Sequence, residues 1–150
     1  MILDDFLYFD ANGLYCKYGQ FYIDPQQPVK TAIISHAHAD HAIAGNNQVY
    51  CTEATAAFMQ LRYGKTAAKE FNIVAYDKSF KVGDIQITFI PAGHMLGSAQ
   101  ILMEYQGTKY LYTGDYKRQS DATCEPLEWV KTDVLITEST FADPSVIHPD

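Results

Sequence analysis

Ser35-His36-Ala37-His38-Ala39-Asp40-His41 places three of the chain's five histidines and a carboxylate within six positions, directly after a β-type run. In extended backbone, residues i and i+2 point to one side, so His36 and His38 can present two imidazoles to one metal ion. A helix starting at Ala39 would redirect Asp40 and His41 towards a second metal nearby. Imidazole and carboxylate together suit Zn²⁺, Mn²⁺ or Fe. Four ligand-type side chains separated only by alanine set this segment apart from a loop of solvated histidines. Two further residues repeat the pattern of a ligand at a strand end: His94 in Pro91-Ala-Gly-His, with Gly93 and Gly97 allowing close backbone approach, and Asp115 after Gly114. Each is a weak signal alone, since a lone histidine is commonly structural and an aspartate after glycine commonly marks a turn. With the first cluster they complete a binuclear ligand list in which one carboxylate bridges two metals.

Short strands separated by turns must position these groups. Leu14–Lys17 and Phe21–Ile23 read as strands, the second stopped by Asp24-Pro25, and Lys30–Ser35 reads as a buried strand running into His36. Gly45-Asn46-Asn47 reads as a turn before a strand at Val49–Cys51. Thr52 is placed to cap a helix over Glu53–Tyr63 that Gly64 ends. Strands follow at Phe71–Tyr76, Ile85–Ile90, Ala99–Tyr105, Lys109–Thr113 and Asp133–Thr137, with a hairpin turn at Gln106-Gly107-Thr108. The mixture favours an α/β sandwich over an all-β domain.

The chain has 150 residues, 47% of them hydrophobic and 19% charged, with 11 Tyr and 8 Phe, which excludes a disordered tail. No apolar stretch approaches the roughly 18 residues of a membrane helix, and Met1-Ile-Leu-Asp-Asp lacks a basic leader. The reading is a soluble, cytoplasmic protein. Cys16, Cys51 and Cys124 form no CxxC pair, and read as buried small residues in a reducing compartment. The formal charge of −7 argues against a protein that coats phosphates, but two bound divalent cations would bring it to −3, and several of the acids belong to the ligand set.

His36-x-His38-x-Asp40-His41, then His94, then Asp115, resembles the metallo-β-lactamase superfamily, whose fold is an αββα sandwich with metals at one edge of its two sheets. Asp24, in Phe-Tyr-Ile-Asp-Pro, matches that superfamily's first motif, a carboxylate that supports the metal loop without being a ligand. Pro91-Ala-Gly-His-Met-Leu-Gly-Ser-Ala-Gln100 and Ile136-Thr-Glu138-Ser-Thr-Phe141 resemble the β-CASP nucleases, with Glu138 matching the acidic residue of their motif A. The whole string of motifs, from Gly13 to Phe141, is similar to the bacterial ligase-associated DNA exonucleases, often labelled exonucleases of the β-lactamase fold involved in RNA processing.

The resemblance implies that His36, His38 and His94 hold one metal, that Asp40 and His41 hold another and that Asp115 bridges them. The metals are expected to be zinc, with manganese as the alternative. Asp24, Asp40 and Glu138 are the other expected catalytic groups, Asp40 as either ligand or orienter of the attacking water. The implied activity is hydrolysis of DNA or RNA ends without a protein nucleophile, with a DNA ligase or helicase as pathway partners and roles in DNA repair or RNA processing. The other readings are a β-CASP ribonuclease, a hydrolase of thioesters or lactams, and an inactive metal-binding subunit. Family members continue well beyond motif A, so residues 1–150 are expected to be the N-terminal part of a larger protein, without its β-CASP domain and final strands. The sandwich is then incomplete, self-association through exposed apolar faces is expected, and the isolated chain is expected to bind one metal well and turn over little.

Overall fold

A computed structural model describes residues 1–119 and 122–137. Among them are eleven strands: β1 (Tyr8–Asp10), β2 (Gly13–Cys16), β3 (Phe21–Ile23), β4 (Thr31–Ile33), β5 (Asn46–Cys51), β6 (Ala68–Ile73), β7 (Phe80–Val82), β8 (Ile85–Pro91), β9 (Ala99–Tyr105), β10 (Thr108–Tyr112) and β11 (Val134–Ile136). One α-helix, α1 (Glu53–Tyr63), lies between β5 and β6. The first six strands form one sheet in sequence order, and the rest form a second in the order β11-β10-β9-β8-β7. β1, β2 and β3 meander antiparallel, whereas β3 to β6 run parallel.

Alternation along the strands builds two cores. Leu14, Cys16, Phe21, Ile23 and Ile33 point inward against Ile85, Ile87, Phe89, Ile101 and Met103 of the second sheet. On the other face Ala32, Val49 and Cys51 pack beneath Ala56 and Met59 of α1. The helix is where the sequence puts it: the Thr52 hydroxyl accepts from the Thr55 amide, and Gly64, at φ 62°, ends it. The described layers are therefore helix, sheet and sheet. No second helical layer is present among the described residues, and none of their helices is long and apolar enough to cross a membrane.

Several boundaries differ from the sequence reading. β4 ends at Ile33, leaving Ser35 in the loop. β5 begins at Asn46, inside the expected turn, because Asn46 Oδ1 accepts from the Val29 amide and the Asn47 amide bonds the Val29 carbonyl. β6 covers Ala68–Ile73, earlier than expected, since pairing with β5 overrides its exposed Lys69 and Glu70. No helix forms at Ala39; a single turn, with the His41 and Ala42 amides both on the His38 carbonyl, changes the chain's direction instead. Cys16 and Cys51 are buried, but Cys124 is only half-buried.

Parallel strands need crossover connections that leave from carboxyl ends, which are the usual place for ligands in such sheets. Asp24 follows β3, Ser35 to His41 follow β4, His94 follows β8 and Asp115 follows β10. The Ala99 amide donates to the Ser35 carbonyl at 2.7 Å, joining the two sheets at this edge.

Candidate metal centre

His36 is fully buried, and the extended backbone after β4 brings its ring to 5.0 Å from that of the exposed His38. His94 enters from the second sheet, its Nε2 lying 3.1 Å from His38 Nδ1. Asp115 Oδ2 lies 3.4 Å from His36 Nε2, 3.5 Å from His41 Nε2 and 3.7 Å from His94 Nε2. One ligand atom from each of His36, His38, His94 and Asp115 falls within 4.8 Å of the other three. His41 Nε2 also stands 3.4 Å from Asp40 Oδ2, on a side chain 79% exposed. The sequence-derived ligands are thus brought together, with Asp115 between the two histidine groups.

Asp24 belongs to a different shell. Its Oδ1 accepts the Ser35 amide at 2.7 Å, and its Oδ2 accepts the Ser35 hydroxyl at 2.6 Å and His41 Nδ1 at 2.8 Å. Asp24, His36 and His41 could by distance hold an ion, but three donors already occupy the Asp24 oxygens. Ser35, which the sequence reading passed over, sets a tautomer. Its hydroxyl proton is committed to Asp24, so its oxygen accepts from His36 Nδ1–H at 3.0 Å. That leaves the His36 Nε2 lone pair facing Asp115. Outer partners of this kind fix the orientation and basicity of metal-binding imidazoles.

Other contacts shape the loops. The Arg62 guanidinium, in the last turn of α1, donates to the Ala37 carbonyl at 2.6 Å. Ser98 Oγ accepts from the His94 and Met95 amides. The Gly97 carbonyl receives the Thr52 hydroxyl, and a Cβ on Gly97 would sit 2.7 Å from that of Ala54, so the loop bearing His94 needs glycine to seat against the helix N-terminus. Neither Arg62 nor Ser98 carries a local sequence signal of this role; Gly97 carried one, as a glycine beside a candidate ligand. Glu138, the expected motif A acid, lies outside the described residues.

Two of the three buried side-chain atoms without a hydrogen-bond partner among the described residues are His36 Nε2 and Asp115 Oδ1. Buried polar atoms are rarely left unpaired, and an orphan costs about 1–3 kcal/mol. Three imidazoles and a carboxylate converging on one point, two of them carrying orphaned atoms, fit a divalent cation.

Burial, and then the neighbouring His41, His94 and His38, push the His36 pKa down to about 2. Burial would also lower His41, but its bond to Asp24 and the charges of Asp24, Asp115 and Asp40 together raise it to about 9. Relative to an ordinary value of 6.5, the His41 contribution to stability is fully present below about pH 6.5 and is lost as pH rises towards 9. His36 acts in the opposite sense: its contribution is present above 6.5 and is lost as pH falls, because the unfolded chain takes up a proton that the buried ring refuses. The chelator-treated protein is therefore expected to melt highest near pH 6.5 and lower at both pH 5 and pH 9. In scanning calorimetry, His41→Gln should remove the alkaline fall and leave the acid one; an unchanged alkaline limb would contradict the assignment.

Residues 18–150 match the family model described as Beta-lactamase superfamily domain. The chain is 33% identical over 141 residues to a protein of Opitutus terrae named "Probable DNA ligase", covering 93% of this chain and 14% of that one. It is 36% identical over 142 residues to the RNase J-like protein of Methanocaldococcus jannaschii, covering 81% and 34%. It is 34% identical over 154 residues to Endoribonuclease ysh-1 of Neurospora crassa, covering 79% and 18%. The chain thus spans between 14% and 34% of the length of these relatives.

Proposed function

The chain belongs to the metallo-β-lactamase superfamily, and from that premise we propose that it is the N-terminal, metal-holding part of a nuclease of the β-CASP type. The reaction is hydrolysis of phosphodiester bonds, and the proposed role is that of an exonuclease in DNA repair or processing in the cytoplasm. The observation that carries the reading is the convergence of His36, His38, His94 and Asp115 with orphaned buried atoms at its centre. The relatives' names, a DNA ligase, an RNase J-like protein and an endoribonuclease, support nucleic acid over a thioester or lactam. Two of those names concern RNA, which keeps RNA processing as the second reading. The link to a ligase or helicase pathway rests on the family resemblance and on the first of those names.

In this proposal His36, His38 and His94 would hold one cation, Asp40 and His41 would hold a second, and Asp115 would serve both. Two divalent cations, zinc or alternatively manganese, would when bound supply the Lewis acidity that lowers the pKa of water and offsets charge on the phosphate. Ser35 keeps the His36 Nδ1 proton away from the reacting face, and Asp24 does the same for His41. Asp40, exposed at the rim, is the group that can also accept a proton from the attacking water. Glu138 is assigned to the site by its motif. Residues outside this chain complete the second half, in keeping with the share of each relative that it covers.

The test is digestion of end-labelled DNA and RNA single strands, beside a thioester, by the full-length protein with Zn²⁺ or Mn²⁺. Stepwise shortening of DNA is the expected result. Shortening of RNA alone would move the protein to the second reading, and hydrolysis of the thioester alone would overturn both.

A further inference from the structure

His36 and His38 hang from the loop after β4 in the first sheet, and His94 from the loop after β8 in the second. Three imidazoles can share one cation only if those two loops keep a fixed offset. The Ala99 amide on the Ser35 carbonyl joins the strand ends, but His38 and His94 lie farther out on each loop. His36 is held by its burial and by Ser35. His38 is exposed, so the direction of its ring depends on the peptide that precedes it. The carbonyl of that peptide, on Ala37, receives the Arg62 guanidinium at 2.6 Å.

Arg62 stands in the last turn of α1. The other end of the same helix meets the other loop: the Thr52 and Thr55 hydroxyls donate to the Gly97 carbonyl at 2.7 and 3.3 Å. Gly97 is tied to His94 through the next residue, Ser98, whose Oγ accepts the His94 amide at 3.1 Å. The Tyr76 hydroxyl braces this loop from outside by donating to the Ser98 carbonyl at 2.8 Å. One rigid body of 11 residues, roughly 16 Å long, thus touches the ligand loop of each sheet with a different end. The helix does not need these polar bonds to stay in place, because Ala56 and Met59 already pack it on Ala32, Val49 and Cys51. Bonds to a body that is fixed in this way act on the loops.

Resting on the reading of His36, His38 and His94 as ligands of one cation, we propose that α1 is a strut that sets the offset between the two ligand loops, with Arg62 and Thr52 as the positioning residues at its ends. Ligands already held at their binding separation bind more tightly, since their ordering is completed during folding. Releasing either end has one consequence: the helix no longer indexes one loop against the other. Releasing the second end then adds little. Arg62 uses a single N–H here, so a lysine ammonium can replace it, whereas methionine keeps the apolar stem and offers no donor.

The experiment titrates the chelator-stripped, full-length protein with Zn²⁺ against a competing chelator, and compares Arg62→Met, Thr52→Val and the double variant. Each single change is expected to raise the zinc Kd about tenfold, the low end for loss of an outer partner. The double variant is expected to match the singles, although contacts this far apart ordinarily act independently. Arg62→Lys and Thr52→Ser should restore the parent Kd. The metal-free Tm of Arg62→Met should stay near the parent's, because the side chain is exposed. The helix cap that Thr52→Val also loses shows as a lower metal-free Tm rather than in the Kd of the folded protein. Losses that multiply to about a hundredfold in the double variant would make the two bonds separate local contacts and overturn the strut. An unchanged Kd in either single variant, with the parent binding zinc, would overturn it as well. A parent that takes up no zinc would instead overturn the metal-centre reading beneath it.

Discussion

Asp115→Asn is expected to abolish metal binding at both halves of the centre while leaving the metal-free fold nearly unchanged. Asp115 is the carboxylate facing His36, His41 and His94 at 3.4 to 3.7 Å. Asparagine preserves its size but removes the negative charge and can turn an N–H donor towards three imidazole nitrogens that must offer lone pairs. Metal-free stability should fall only modestly, because Asp115 Oδ1 and His36 Nε2 have no hydrogen bond to lose, and what goes is the share of His41's raised pKa that the Asp115 charge supplies beside Asp24. The parent protein, at a cation concentration of about a hundred times Kd, gains about 2.7 kcal/mol, or roughly 5–10 °C in Tm for a chain of this length. The variant should gain nothing. Cleavage by the full-length protein should fall more than about a hundredfold, beyond the 10–100-fold typical of losing an outer partner. A variant that still shifts its Tm with zinc would remove Asp115 from the ligand set.

Asp24→Ala has a different signature, since the damage is done before any metal arrives. The Ser35 amide, the Ser35 hydroxyl and His41 Nδ1 lose their shared acceptor on a side chain only 5% exposed. Removing one partner of a buried ionic pair costs about 3–5 kcal/mol. The metal-free Tm should therefore drop by roughly 10 °C. His41 should lose most of its raised pKa, and the freed Ser35 hydroxyl can donate to His36 Nδ1, moving the ring proton to Nε2 and blocking the ligand. Imidazole NMR of the chelator-treated protein reads both changes directly. A His36 ring still protonated on Nδ1 in the variant would refute the relay from Asp24 through Ser35.

The ligands were legible because they are local in sequence: histidines two apart in extended chain, and a histidine or aspartate at a strand end after glycine. The helix was equally readable, because Thr52 and Gly64 mark its ends with their own chemistry. Ser35, Arg62 and Ser98 were not. Ser35 and Arg62 act through partners distant in sequence, Asp24 and Ala37, and Ser98 acts by folding the loop back on the amides of His94 and Met95; the residue types carry no mark of either role. The strand boundaries at Asn46 and Ala68 were misplaced for a related reason, since pairing with neighbouring strands outweighs local turn chemistry and local polarity.

The centre draws its side chains from both sheets, three histidines from the first and His94 and Asp115 from the second. A cation held there works as a clasp closing a chain loop from His36 to Asp115. By analogy with a covalent cross-link, such a loop is worth about 4 kcal/mol against the unfolded chain. The sheets would then separate at a pace set by release of the ion. A chelator would accordingly shorten the lifetime of the folded state before it disturbed a single strand, and amides of β4 and β10 would exchange together, although the two strands lie in different sheets.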